Sequence, residues 1–116
     1  MLTISNQKIY LYRDYVDFRK QINGLTQIVI NQMKLNAMDG DLFVFCCKRK
    51  DKIKVVYWHN TGFCMWQIRL EKDKFKWPIK HADKILNWNK EQFDWLLKGI
   101  DVSKLNPHKS LKYDGI

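Results

Sequence analysis

Short apolar and alternating segments fill the middle of the chain, and their pattern predicts a run of β-strands. In residues 41–47, both the odd-numbered and the even-numbered positions are mostly apolar, which is typical of a strand covered on both faces. Residues 52–58 and 74–77 alternate between apolar and polar positions, and residues 63–70 form a further strand candidate. Asn60-Thr61-Gly62 has the composition of a hairpin loop, and Pro78 ends the last segment. The pattern therefore predicts an antiparallel meander.

Two helices and one further strand are predicted around this meander. Residues 9–12 favour a strand, and a second helix is expected from about Asn89 to Gly99. A long first helix is predicted from about Asp17 to Asn36, because its apolar positions recur every three or four residues: Phe18, Ile22, Leu25, Val29 and Met33. Its stripe is expected to pack against Phe43 and Phe45, or their alternates, together with Phe75 and Trp77.

The fold class that follows is α+β. An antiparallel β-meander sheet of four to five strands packs against the long N-terminal helix, and a short C-terminal helix completes the core. Both helices are expected on one face of the sheet. Residues 1–101 form a single domain, and residues 102–116 read as a polar C-terminal tail.

Basic charge is concentrated in the predicted meander. The chain of 116 residues has a formal net charge of +9. Residues 48–80 contribute ten Lys or Arg and three acids, whereas the segments before and after each carry only +1. This placement favours a polyanionic partner, although an AT-rich genome that supplies lysine at unconstrained positions would also explain the lysine content.

Alternation predicts where these cations point. Lys52 and Lys54 should leave one strand on the same side, Lys74 and Lys76 should leave another together, and all four should face solvent because unpaired buried ammonium groups are costly. Arg69 is expected beside them, in contact with either phosphate or Glu71. The candidate nucleic-acid-binding residues, forming one basic face or rim, are Arg49, Lys52, Lys54, Arg69, Lys74 and Lys76.

Two other sets of residues are candidates for contacts. Asp17, Arg19 and Lys20 are possible motif contacts, or they form the start of the first helix. Trp88 lies between two asparagines and is expected to be exposed as a partner contact.

The sequence indicates neither an enzyme nor a cofactor site. Its acids mostly neighbour lysines, and no convincing cluster of three carboxylates is apparent. His59 and Cys64 lack a second pair at metal-ligand spacing, so no metal site is predicted. Without a signal peptide or a run of about 20 apolar residues, the protein is expected to be cytoplasmic, with no membrane contact.

Several motifs resemble one known protein family. Val16-Asp17-Phe18-Arg19-Lys20 followed by Gly24-Leu25, and the strand Gly40-Asp41-Leu42-Phe43-Val44-Phe45, match its first two motifs. Asp51-Lys52-Ile53-Lys54, Arg69-Leu70-Glu71 with Phe75-Lys76-Trp77-Pro78, and Leu96-Leu97-Lys98-Gly99-Ile100-Asp101 match later ones. The chain thus resembles the TnpB accessory proteins, the second-reading-frame products of the insertion sequence 66 family of bacterial transposable elements. Asp73 departs from the glycine that is usual in that family.

The resemblance implies a non-catalytic role in transposition beside a separate transposase subunit. One hypothesis is that the protein binds DNA, at the ends of the element, through its basic sheet face. The alternative is a protein–protein adaptor that binds the transposase without contacting DNA, using an exposed aromatic residue or an unpaired strand edge.

Overall fold

The computed structural model describes residues 6–105, which form a five-stranded sheet between two helices. The strands are β1 (Ile9–Tyr12), β2 (Leu42–Cys46), β3 (Lys52–His59), β4 (Gly62–Arg69) and β5 (Ile85–Trp88). The helices are α1 (Ile22–Asn31) and α2 (Lys90–Leu97), and a 3-10 turn follows at Val102–Lys104. The element order β-α-β-β-β-β-α is the predicted one.

The sheet is mixed, so the prediction of a purely antiparallel meander is wrong. Its strand order is β4-β3-β2-β1-β5. β1 runs parallel to β2, whereas β5 pairs antiparallel with β1, and β2, β3 and β4 form the antiparallel part. Parallel pairing needs a crossover connection, and α1 supplies it between β1 and β2.

The fifth predicted strand lies in the wrong segment. Residues 74–77 alternate, but they are irregular, and Phe75 N–H donates to the carbonyl of Lys50 instead of joining a ladder. Ile85–Trp88 forms the fifth strand, with Leu86 and Trp88 buried and Asn87 exposed. Alternation at residues 74–77 therefore did not indicate a strand, because these residues join no ladder of the sheet.

The first helix is shorter than predicted. It has ten residues, begins at Ile22 and is not capped by an aspartate, since its N-cap is Gln21 with no side-chain hydrogen bond. Leu25 and Val29 are fully buried on it, as expected, against Phe43 and Phe45. The glycine at position 24 has a steric explanation, because a Cβ atom there would lie only 3.1 Å from Lys20 Cβ.

The two helices cover opposite faces of the sheet, contrary to the expectation of one face. α1 covers the core that holds Phe43, Phe45 and Val56. The core on the other face contains Phe93 and Leu96 of α2, and Phe75 and Trp77 belong to it rather than to the α1 side. β2 is buried along its whole length because its side chains point alternately into the two cores, one on each face of the sheet.

The second helix follows the sequence prediction closely. Asn89 accepts from the backbone of Gln92, whose side chain accepts from the Asn89 N–H, so the helix begins with a reciprocal capping box. Gly99 has φ +83°, which suits a residue just beyond a helix. Val102, 5% exposed, still belongs to the core. The predicted tail from residue 106 onward lies outside the described residues.

Candidate nucleic-acid interface

The topology brings three charged connections to one end of the sheet. β1, β2 and β4 finish at this end, and β3 and β5 begin there, because β1 and β2 are parallel and the other pairings are antiparallel. The basic rim is defined here as the connections 13–21, 47–51 and 70–84 together with Lys52 and Arg69. It holds thirteen Lys or Arg and six Asp or Glu.

The opposite end of the sheet, the far end, is nearly neutral. It comprises Asn6–Lys8, the α1–β2 connection 32–41, the turn Asn60-Thr61 and the cap Asn89. These segments contain two basic and two acidic residues. A concavity of about 450 Å³ opens there, lined by Asp39 and Asp41 and by no Lys or Arg. The chain's positive charge is therefore segregated between the two ends.

The turn 47–51 is the centre of the rim. Cys47 Sγ donates to Asp51 Oδ1 at 3.2 Å, and this hydrogen bond lowers the pKa of the Asp51 carboxyl. Lys50 has φ +64°, a left-handed conformation that reverses the chain. Lys74 Nζ donates to the Arg49 carbonyl at 2.8 Å, so the turn is tied to the 70–84 connection.

Two buried rings hold the 70–84 connection against the sheet. Phe75 and Trp77 are 1% and 5% exposed, and Trp77 Nε1 donates to the Arg13 carbonyl at 2.8 Å. Arg13 Nη1 in turn donates to the His81 carbonyl at 3.0 Å. With the two rings inside, the alternate residue Lys76 is left exposed at the rim.

Lys54 does not face solvent, and that prediction is wrong. Its side chain leaves β3 on the α1 side and is 3% exposed. Its Nζ donates to the carbonyls of Phe18 and Lys20, both at 2.9 Å, and lies 4.8 Å from the centre of the Phe18 ring. Burial lowers the pKa of the Lys54 ammonium. Of the four lysines expected to face solvent, Lys74 and Lys76 are exposed and Lys52 is half-buried.

The contacts of Lys54 hold the turn Asp17–Lys20 in place. Lys20 N–H donates to the Asp17 carbonyl and Arg19 N–H donates to Asp17 Oδ1, which together close the turn. Arg19 Nη2 lies 2.6 Å from Asp17 Oδ2, and hydrogen bonding to Arg19 lowers the pKa of the Asp17 carboxyl to about 2. Asp17, Arg19 and Lys20 therefore form a turn before α1, with Arg19 and Lys20 exposed.

Trp88 is not an exposed contact. It is 9% exposed and belongs to the core on the α2 side, as the last residue of β5. In a short strand whose alternate residue Asn87 points outward, Trp88 takes the inward parity. The expectation of exposure came from its asparagine neighbours, which both face solvent.

The five remaining candidate cations lie on the rim, but on different sides of it. Lys52 and Arg69 are cross-strand partners on the α1 side, whereas Lys74 and Lys76 belong to the segment that covers the α2 side. A single basic sheet face is therefore absent, and the turn that carries Arg49 joins the two sides.

The rim cations differ in what they already contact. Arg69 forms an exposed ion pair with Glu71 at 3.2 Å, the structural alternative considered for it. Lys74 donates to a carbonyl. Arg49, Lys52 and Lys76 have no carboxylate within ion-pair distance among the described residues.

Two concavities flank the central turn. One of about 440 Å³ on the α1 side is lined by Lys48, Arg49, Lys52, Tyr15 and Asp17. The other, about 530 Å³, lies on the α2 side and is lined by four lysines and a histidine: Lys50, Lys74, Lys76, Lys80 and His81. Of these residues, only Lys74 and Lys76 were predicted from the sequence. Lys48, Lys50 and Lys80 were missed because they lie in turns, where alternation gives no direction; their position inside the charged segment was the available signal.

The molecule is thus a small α+β protein, as predicted, with a mixed sheet covered on both faces and a cationic rim at one end. Its sequence from residue 7 to residue 107 matches the family model described as IS66 Orf2 like protein. The chain belongs to this family, which makes it a transposition-associated accessory protein.

Two curated relatives are similar along most of their length. The uncharacterized protein y4jC of Sinorhizobium fredii (strain NBRC 101917 / NGR234) is 35% identical over 91 residues, covering 78% of this chain and 76% of the relative. The uncharacterized protein y4hO of the same strain is 31% identical over 96 residues, with 83% of each covered. No solved structure matches the chain. Among the described residues, no helix is long and apolar enough to cross a membrane.

Proposed function

We propose that this protein is a non-catalytic accessory subunit of transposition that binds the DNA backbone through the basic rim. The segregation of charge supports the proposal. The rim holds thirteen basic and six acidic residues, whereas the far end of the sheet holds two basic and two acidic residues. Neutralised phosphates release counterions, so such a surface gives affinity that falls steeply with salt.

Arg49, Lys52 and Lys76 are the proposed phosphate contacts. All three are without an ion-pair partner among the described residues, and they surround the central turn and its two concavities. Arg69 and Lys74 would first have to leave Glu71 and the Arg49 carbonyl. Binding is expected to discriminate weakly between sequences, because phosphate contacts position a protein without reading bases.

The experiment compares two charge-reversed proteins with equal net charge. The rim variant carries Arg49→Glu, Lys52→Glu and Lys76→Glu, and the control carries Lys8→Glu, Lys34→Glu and Lys90→Glu at or next to the far end. Both are titrated with element-end duplex DNA at several salt concentrations. Each lost phosphate contact removes about 0.9 from the slope of log K against log salt, so the rim variant should lose about 2.7.

The control variant should keep most of the wild-type slope, because its reversed charges are remote from the rim. Equal losses in the two variants would show that net charge, not the rim, controls binding. An unchanged rim variant would contradict the proposal.

The adaptor alternative retains one supporting observation. β4 is an exposed sheet edge that could accept a strand from the transposase subunit. Capture of the purified transposase after nuclease treatment, with no DNA binding at any salt concentration, would favour the adaptor role.

A further inference from the structure

β4 is an open edge that lacks the usual protection of edge strands. It has eight residues and pairs only with β3. Edge strands normally carry charges, proline or a bulge that prevents pairing with another chain. Residues 62–68 contain no charge and no proline, and the register with β3 runs from Lys52↔Arg69 to His59↔Gly62 without a bulge.

The other edge of the sheet is different. β5 has four residues, half the length of β4, and is followed at once by the cap of α2. Among the described residues, no backbone hydrogen bond from a loop reaches residues 62–69, so the outer side of β4 is open. The unprotected edge is therefore confined to one side of the molecule.

Apolar side chains flank this edge on both faces of the sheet. Phe63 and Met65 pack at the border of the α1-side core, and Trp66 and Ile68 pack at the border of the other core. All four are half-buried. A strand added beside β4 would complete the burial of both borders.

We propose that β4 pairs antiparallel with β4 of a second copy of this chain, making a two-fold symmetric dimer with a continuous ten-stranded sheet. The charge distribution selects this occupant. Residues 55–68 contain no Lys, Arg, Asp or Glu in a chain of net charge +9, so this strip is where two cationic molecules can approach. A neutral edge also offers no charge by which to select a different partner.

Antiparallel pairing keeps the remaining charges apart. With the two-fold axis at Trp66, Arg69 of one copy lies opposite Phe63 of the other. The two Arg69 residues are then about 20 Å apart along the strands, beyond the screening length of about 10 Å at 0.1 M salt. Parallel pairing would instead place the two rims side by side, where they repel.

The hydrogen-bond pattern of the hairpin identifies the β4 residues whose backbone groups can pair with a second copy. His59 and Gly62 flank a two-residue turn and form a hydrogen-bonded pair, and such pairs alternate along the hairpin. Gln67, opposite Lys54, falls in a pair of the other type, so its N–H points away from β3. Phe63 and Met65 fall in pairs of the same type as Gln67, so their backbone N–H and C=O groups also point away from β3, toward the second copy.

One consequence rests on the proposed function. The dimer places its two rims at opposite poles, so a single dimer would hold two DNA segments. The dimer itself is tested without DNA, and its failure and a failure of DNA binding are therefore separate results.

The test compares Gln67→Pro with Gln67→Ala. Both remove the exposed side chain, but only proline removes the outward N–H. By sedimentation velocity, the wild type and Gln67→Ala should have twice the 14.1 kDa mass of the chain, and Gln67→Pro should have that mass itself. Circular dichroism checks that the proline variant is folded.

A second measurement does not depend on the folding of that variant. Cys64 is half-buried whereas Cys46 and Cys47 are buried, so a spin label attaches selectively to β4. The register places the two Cys64 backbones about 15 Å apart. A monomeric wild type, a dimer unaffected by Gln67→Pro, or a label separation above 29 Å, the shortest extent of one molecule, would overturn the proposal. A monomer whose capture of transposase is lost in Gln67→Pro would also overturn it and assign the edge to the transposase.

Discussion

The two ends of the sheet are built from the same strands, yet one is strongly cationic and the other nearly neutral. The difference lies in the connections: those at 13–21, 47–51 and 70–84 carry the cations, whereas the segments at the far end hold only two basic and two acidic residues. Because α1 and α2 cover both faces, the sheet has no free face on which a row of lysines could lie. A charge that starts on a strand is either buried, like Lys54, or lies at an end of the sheet, like Lys52.

The two ends also differ in how they are held. The far end combines local structure, namely the capping box at Asn89 and the hairpin turn where Asn60 has φ +57°, with one hydrogen bond between distant residues, from Lys8 N–H to Asp41 Oδ1. The rim relies on long-range contacts that join residues far apart in the chain, such as Trp77 to Arg13 and Lys54 to Phe18. Substitutions in these anchors should therefore separate the stability of the fold from the integrity of the rim.

The largest effect is expected from Trp77→Ala. Truncating a buried aromatic residue costs about 3–5 kcal/mol, and here it also releases the 70–84 connection. Chemical unfolding should show this loss, and DNA affinity of the folded protein should fall. Met33→Ala, 3% exposed at the far end, is the matched variant: it should cost about 2–5 kcal/mol while DNA affinity of the folded fraction stays at the wild-type value. Equal effects on DNA affinity would remove the distinction between the ends.

A smaller effect is expected from Lys54→Met, which keeps the length of the side chain and removes its ammonium. The carbonyls of Phe18 and Lys20 lose their hydrogen-bond donor, which should destabilise the fold by about 1–3 kcal/mol. The free-energy cost of burying the ammonium charge is removed at the same time, and this offsets part of the loss. We expect a net loss of about 1 kcal/mol in the free energy of unfolding. Amide exchange should accelerate at residues 17–20 and stay unchanged at residues 60–62. Uniform acceleration along the chain would contradict a local role for Lys54.

The smallest effect is expected from Arg19→Ala, which acts on one exposed turn. Arg19 lowers the pKa of Asp17 to about 2, so the carboxylate stabilises the turn fully above the ordinary pKa near 4 and loses this effect as the pH falls through about 2. In the variant, the pKa of the Asp17 carboxyl should rise from about 2 toward its ordinary value of 3.8 by NMR, because the side-chain hydrogen bond from Arg19 is lost while the one from the backbone N–H of residue 19 remains. In the wild type, the Arg19 amide should titrate with the Asp17 midpoint, because it donates to that carboxylate. A wild-type midpoint near 3.8 would show that the pair is open in solution.

Local pattern by itself determined much of the fold. The strand Ile9–Tyr12, the hairpin of β3 and β4, and α2 with its Asn89 cap and Gly99 exit follow from alternation and from turn and capping residues. The sequence also located the excess charge in residues 48–80 and carried the motifs that placed the chain in its family. Each of these features depends on residues close together in the chain.

Only the tertiary structure decided which partner each segment takes. Residues 74–77 and 85–88 both have period-two patterns, but β1 offers a ladder to the second and none to the first. The same choice put α1 and α2 on opposite faces, buried Lys54 under the turn at Asp17, and, of the expected basic face or rim, left only the rim. Alternation gives the side on which a residue lies, whereas its exposure depends on what later covers that side.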